Sequence, residues 1–331
     1  MDELKRAGRS ASQDAVIVES PAALEELLTE HPDYDVQLES LNQWQLAWRR
    51  FRKHRMAIIG SVLFVTMLLL GTIGPLILPY DPNSVPDPGA GNYVNAGRPP
   101  MLFPSFHLFG ETVGLQRDVF TLVINGIRLS LLIGVLATTI ATLVGTLVGG
   151  VAGYFGGFLD TFLMRVVDAM LSLPLLFLIL VFSRFLGAGS WVTVMMIFAL
   201  FGWMGIARLV RSVILSMREA DWVDAARAVG VSDVRIIYRH LMPNALSPII
   251  VSASLSVAGV IISEAFVSFL GYGIDPATPT LGNVLSGAQD ALQQGNWWWA
   301  FFPGAAIVVI VMGINFMGDG LQDALDPRAK I

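Results

Sequence analysis

Cysteine is absent from this chain of 331 residues, which excludes disulfides and thiolate metal sites. Charge is scarce as well. Asp, Glu, Lys and Arg make up 14% of the residues against 54% hydrophobic, a balance that belongs to integral membrane proteins. Lysine is almost missing: Lys5, Lys53 and Lys330 are the whole set, and none follows glycine. A phosphate-cradling loop needs Gly-Lys-Ser/Thr at its end, so this chain cannot hydrolyse ATP by that motif. The four histidines (His31, His54, His107, His240) are scattered, and no metal site is expected from their spacing. No signal peptide is expected either, because the first 45 residues are polar and the first apolar run begins at Ala57.

The net charge of −5 is unevenly spread. Residues 1–45 hold ten Asp/Glu against three Lys/Arg, so the remainder is slightly basic. The acidic excess marks a tail, residues 1–39, whose low hydrophobicity predicts weak order. One short helix is expected there, with Ser20 as its cap and Pro21 at its first position. Residues 40–55 differ. Leu41, Trp44, Trp48 and Phe51 share one helical face, beside a flank of Arg49, Arg50, Arg52, Lys53 and Arg55. This pattern predicts an interfacial helix on the cytoplasmic leaflet, leading into a first span.

A bilayer core takes about 20 apolar residues per helix. Six spans are expected, at roughly 57–78, within 129–159, and at 164–186, 190–207, 245–270 and 299–318. The third is short of uncharged length and has Pro174 inside it. With the basic flank 49–55 inside, 17 Lys/Arg fall on the inner side and 4 on the outer, which predicts both termini in the cytoplasm. Two outer loops follow. Residues 79–127 are long and rich in Pro and Gly. Residues 271–298 lack Lys and Arg and close on Trp297, Trp298 and Trp299, read as an aromatic belt at the outer interface. Gly145, Gly149, Gly153, Gly156 and Gly157 form a small-residue ladder suited to close helix packing.

Ionisable residues within spans are costly and ask for a role. Asp168 lies at helical reach of Arg165, and a structural pair is expected. Glu264 has no partner nearby in sequence. Three readings stay open for it: a wall of a translocation path, a contact to another subunit, or proton coupling.

The segment 208–244 is basic, helix-forming and set between two uncharged spans. Asp221 can cap a helix from Trp222, with Glu219, Asp221 and Asp224 near its positive end. Ala225, Ala226 and Ala228 keep that helix thin enough for another protein to approach. Gly230 is placed to end it, and Ser232 to cap a second helix that Pro243 breaks before the fifth span. Two short helices at an angle would project from the membrane as a lever.

Asp224-Ala225-Ala226 with Arg227, then Gly230, then Met242-Pro243, resembles the EAA loop of membrane subunits of ATP-binding-cassette importers, where Glu-Ala-Ala and Leu-Pro are common. Leu46 to Lys53, Pro79-Tyr80-Asp81-Pro82-Asn83, His107-Leu108-Phe109-Gly110, Gly114 to Phe120, Ser268 to Gly273 and Asp323 to Arg328 resemble the C-type permeases of dipeptide and oligopeptide systems. The likeness covers roughly 40–331. It implies an all-α integral membrane protein of six transmembrane helices with a MetI-like permease core, in a prokaryotic inner membrane. The implied division is an acidic tail 1–39, an interfacial helix and first span 40–80, an outer loop 81–127, a five-helix core 128–325 containing loop 208–244, and a terminus 326–331. A B-type permease, two ATPase subunits and an extracytoplasmic binding protein would be its partners, with the lipid bilayer around it and no nucleic acid. The chain itself would bind no cofactor, ATP and Mg belonging to the ATPases, and would not be an enzyme. Glu219, Asp221, Asp224, Ala225, Ala226, Arg227, Gly230 and Pro243 would couple to the ATPases. Di- or oligopeptides are the expected cargo. Nickel complexes or oligosaccharides are the alternative, and a secondary transporter or channel subunit is the rival of another class.

Overall fold

The computed structural model describes residues 43–78, 81–82, 99–100, 107–186 and 189–325. The acidic tail with its expected Ser20-capped helix, residues 79–80, 83–98 and 101–106 of the proline-rich loop, and the terminus 326–331 lie outside them. Among the described residues the structure is helical, apart from one isolated bridge between Glu111 and Asp118.

The order is α1 (Gln43–Lys53), α2 (Arg55–Ile77), α3 (Val119–Phe155), α4 (Gly157–Leu171), α5 (Leu175–Phe185), α6 (Trp191–Arg218), α7 (Asp221–Ala228), α8 (Asp233–Ile236), a π turn (Ile237–Leu241), α9 (Met242–Phe269), α10 (Leu281–Gly287), α11 (Gln289–Gln293) and α12 (Trp298–Leu325). Polar side chains start these helices by accepting an orphan backbone N–H. His54 accepts from Ala57 at 3.1 Å to start α2, and Asp118 accepts from Thr121 at 2.7 Å to start α3. Ser190 and Thr280 do the same for α6 and α10.

Among the described residues, five helical stretches are long and apolar enough to cross a membrane, and a sixth crossing requires α4 and α5 to act as one. The expected third span is in fact two helices bent by 83°. Pro174 sits at the break. Its ring disfavours a helical conformation at Leu173, so the chain turns rather than kinks. The second span is longer than expected. It starts at Val119, since Asp118 caps it there, and runs 37 residues to Phe155. At 1.5 Å per residue that is about 55 Å, well beyond a hydrocarbon core of about 30 Å. It is therefore longer than an upright crossing requires. Gly156, at φ +65°, turns the chain sharply into α4.

Helix α3 packs along α6, and the glycine ladder is the reason. An added Cβ at Gly145 would stand 2.6 Å from the Trp203 carbonyl oxygen, and one at Gly153 2.8 Å from that of Arg211. Gly149 meets the Ala207 carbonyl oxygen more closely still. Small residues let the two backbones touch, which is where packing energy between spans comes from. Gly156 and Gly157 belong to the turn instead, both at positive φ. On the other side, Gly60 of α2 meets the backbone of α12 at Met317. Buried side chains collect in three clusters. One lies around Ile127, Ile261 and Ile310, a second around Ile133, Ile179 and Ile197, and a third around Tyr154, Ile214, Val223 and Ile236. The third roots the loop 208–244 in the bundle.

Candidate coupling loop and its anchorage

Helix α7 begins at Asp221, one residue earlier than expected, with Ala220 at the cap position and no side-chain cap. Asp221 and Asp224 instead occupy the first turn, where negative charge meets the positive helix end. Gly230 ends the helix as expected, at φ +80°. The Gly230 N–H donates to Arg227 O at 2.9 Å and the Val231 N–H to Ala226 O at 3.1 Å. This is a Schellman closure, which satisfies two carbonyls and fixes the turn. Ser232 precedes α8 but contributes its carbonyl rather than its hydroxyl.

Pro243 does not break the second helix. Asp233 to Phe269 runs as one 37-residue helical stretch. The π turn Ile237–Leu241 lies just before the proline, and the Met242 N–H donates to Ile237 O. The widened turn takes up the hydrogen bond and the space that a proline denies its helix. The lever is therefore continuous with the next span, α9.

Val223 and Ile236 are fully buried under the loop, whereas Trp222, Val229, Val234 and Tyr238 are exposed, Val229 at 79% and Tyr238 at 81%. Glu219, Asp221, Asp224, Ala225 and Arg227 are exposed and Ala226 is half-buried. Glu219 lies 3.6 Å from Arg218, and Asp224 lies 3.1 Å from Arg227. Two residues not singled out from the sequence hold the loop to α3. Tyr154, in the last turn of α3, donates its hydroxyl to the Asp233 carboxylate, and the Arg227 guanidinium stands 5.4 Å from the centre of its ring. The hydrogen bond with Tyr154 raises the Arg227 guanidinium further above its ordinary range, so it stays charged. Arg218 completes the joint by donating to the Tyr154 carbonyl at 3.2 Å. The available sequence signal was a lone phenol at the end of a glycine ladder.

Asp168 pairs with Arg208 of α6 at 2.6 Å, not with Arg165 on its own helix. Packing of α4 against α6 brings Arg208 across, and Arg211 makes a two-point pair with Asp160 beside it. The Asp168 pair is half-exposed on both sides, so its contribution is about 1 kcal/mol or less.

Glu264 is wholly buried inside the chain and presents no surface to a path or a second subunit. It accepts from Ser130 Oγ at 3.0 Å and Ser268 Oγ at 2.9 Å. The Leu281 N–H donates to Ser130 Oγ at 3.4 Å. The carboxyl thus joins α3, α9 and the start of α10. Glu264→Leu is expected to lower the thermal midpoint of the purified protein, since each buried donor left unpaired costs about 1–3 kcal/mol. Glu264→Gln keeps one acceptor oxygen and should recover most of the loss. Unfolding of the leucine variant at the native temperature would refute this joint.

Of the three tryptophans, Trp297 is exposed at 53%, as a belt residue requires. Trp299 is half-buried against Gly287. Trp298 is 8% exposed, and its Nε1–H donates to Glu111 O at 3.2 Å, so it serves the core rather than the interface. That contact adjoins a buried cluster that His spacing did not reveal. His107 places one ring nitrogen 2.9 Å from Glu111 Oε1 and the other 3.0 Å from Asp118 Oδ1. Asp118 also receives the Thr121 hydroxyl. The cluster pins residues 107–111 to the start of α3.

These elements define a multi-pass helical membrane protein in which the segment α7–α8 is rooted in the bundle and exposes Val229 and Val234 near its turn. Residues 145–331 match the family described as binding-protein-dependent transport system inner membrane component, and residues 42–100 match the N-terminal transmembrane domain of oligopeptide transport permease C. The chain belongs to this family of transporter permeases. A putative peptide permease of Brucella suis is 39% identical over 284 residues, 85% of this chain and 90% of that protein. The dipeptide transport system permease protein DppC of Bacillus subtilis is 36% identical, covering 89% of each chain. The oligopeptide transport system permease protein OppC of the same organism is 32% identical over 88% of this chain and 92% of its own.

Proposed function

We propose that the chain forms one half of the translocation path of an ATP-driven peptide importer. A B-type permease forms the other half. Two ATPase subunits hold ATP and Mg and dock on α7 and the turn after it, while an extracytoplasmic binding protein delivers cargo. The relatives named for dipeptide and oligopeptide transport support the cargo. The excess of Lys/Arg on the loop side supports both termini and the loop lying in the cytoplasm. Within this reading the chain keeps the division into tail 1–39, entry helix and first span 40–80, outer loop 81–127, core 128–325 and terminus 326–331.

One observation carries the proposal: the α7–α8 unit is rooted by Val223, Ile236 and Tyr154 and exposes the apolar side chains of Val229 and Val234 around its turn. An exposed apolar patch on an ordered element marks a protein contact. Its second helix runs unbroken into α9, so a push on the tip reaches that span directly. ATP-driven closure of the ATPases would draw the two loops together and open the path outward, and release would reverse it. The charged rim of Glu219, Asp221, Asp224 and Arg227 would set the register of docking.

A double substitution tests the surface. Val229→Glu with Val234→Glu alters two exposed side chains, so insertion and thermal stability should stay native. Co-purification of the ATPase subunits should fall at least tenfold. Native recovery of the ATPases with this variant would show that the tip is not the docking surface.

A further inference from the structure

At the end of the bundle opposite α7, a recess of about 210 Å³ lies between the end of α5 and the turn after α9. It is lined by Ser183, Arg184, Gly271 to Ile274, Asp275 and Pro276. The turn after α9 is tied to the chain entering α6, since the Asp275 N–H donates to Gly189 O at 3.1 Å. Asn283 fixes the same turn by donating to the carbonyls of Ile274, Asp275 and Thr278. The recess is thus a built feature of the fold.

Two charged groups line it without pairing to each other. Arg184 has no carboxylate partner among the described residues, although Asp275 lines the same recess. Asp275 uses one carboxylate oxygen to accept from the Ala277 N–H at 2.8 Å, which leaves the other facing solvent. A cation and an anion that share a recess without pairing are complementary to a molecule carrying both charges apart. The volume admits one amino-acid-sized group, being below the range of about 300–1,000 Å³ usual for larger organic ligands. A long peptide could place only one charged end here, whereas a dipeptide has both ends close together.

We propose that this recess receives the charged main-chain ends of a short peptide, with the carboxylate on Arg184 and the ammonium on Asp275. The inference rests on the peptide-import reading above and adds the group that meets cargo on the outer side. Arg suits the first role because its fixed fork of N–H donors matches a carboxylate.

The test uses the complete importer in proteoliposomes, with binding protein and labelled dialanine. Three quantities are read: dipeptide imported per ATP hydrolysed, ATP turnover against the concentration of loaded binding protein, and the thermal midpoint. Arg184→Gln and Asp275→Asn should each lower import per ATP about tenfold, while the turnover curve and the midpoint stay native. Arg184→Lys, which keeps the charge, should restore at least a third of native import. Native import by Arg184→Gln would overturn the proposal. So would a shift of its turnover curve to higher binding-protein concentration, which would make the recess a docking contact. A lowered midpoint with no rescue by lysine would overturn it too, by making Arg184 structural. If the native complex imports no dialanine but does import another cargo class, the peptide reading itself fails, which is a separate result.

Discussion

Gly230→Pro should leave the complex assembled while cargo-stimulated ATP turnover and uptake fall at least tenfold, the equivalent of about 1.4 kcal/mol or more in coupling. Gly230 sits at φ +80°, and proline is held near −65°, so the two are incompatible. Proline also removes the N–H that donates to Arg227 O, one of the two bonds of the helix closure. The damage should stay local. Val223 and Ile236 are buried on either side of the turn, and Tyr154 holds Asp233 from below, so the two helices keep their roots. What changes is their mutual angle, the property a lever must preserve. Gly230→Ala should be intermediate, because a non-glycine residue in the left-handed region costs about 1–2 kcal/mol and no neighbour stands within 4 Å of the added methyl. Assembly with native uptake in the proline variant would reduce the loop to a linker and remove the basis of the coupling proposal.

The features legible in the sequence were those that depend on neighbours along the chain. Uncharged runs located the spans, because a bilayer leaves helix as the only open-chain solution for a backbone that must satisfy its own hydrogen bonds. Gly230 was readable because one residue type serves a left-handed turn at the end of an alanine-rich helix. The glycine ladder was readable at Gly145, Gly149 and Gly153 by its spacing of four. Pro174 and Pro243 show the limit. The same residue ends one helix with an 83° turn and sits inside another that continues through a π turn. Sequence marks where a proline disturbs the ladder of hydrogen bonds, but tertiary packing selects the remedy.

The joints of the molecule were not legible, since their members lie far apart along the chain. Tyr154 meets Asp233 across 79 residues, Ser130 meets Glu264 across 134, and Trp298 meets Glu111 across 187. Asp168 had a plausible partner three residues away and took another from the next span. Glu264 looked isolated, and so functional, because hydroxyls were not counted as its company. Two serine hydroxyls satisfy a buried carboxyl, and serine is too common for its spacing to announce it.

Gly149→Val tests the frame against which the lever works, and it should be the most damaging single change to folding. The added side chain would have to enter the space of the Ala207 carbonyl on α6. A backbone oxygen inside a helix cannot swing aside as a side-chain tip can, so the helices must separate. Gly145 and Gly153, one turn away on either side, also stand close against Trp203 and Arg211, and a local separation would open those contacts too. Overpacking a well-fitted core costs about 1–3 kcal/mol or more, and between spans there is no hydrophobic gain to offset lost packing. The third cluster, which roots α7 and α8, spans the far end of this same contact through Tyr154, Ile206, Val210 and Ile214. The valine variant should therefore yield little monodisperse protein, and what survives should melt well below the native midpoint and fail to couple ATP turnover to uptake. Gly205→Ala, on the same α6 but with open space at its Cβ, is the matched control and should behave as native. Native melting and coupling in Gly149→Val would mean that α3 and α6 can part without consequence, and the loop would then have no rigid body to move.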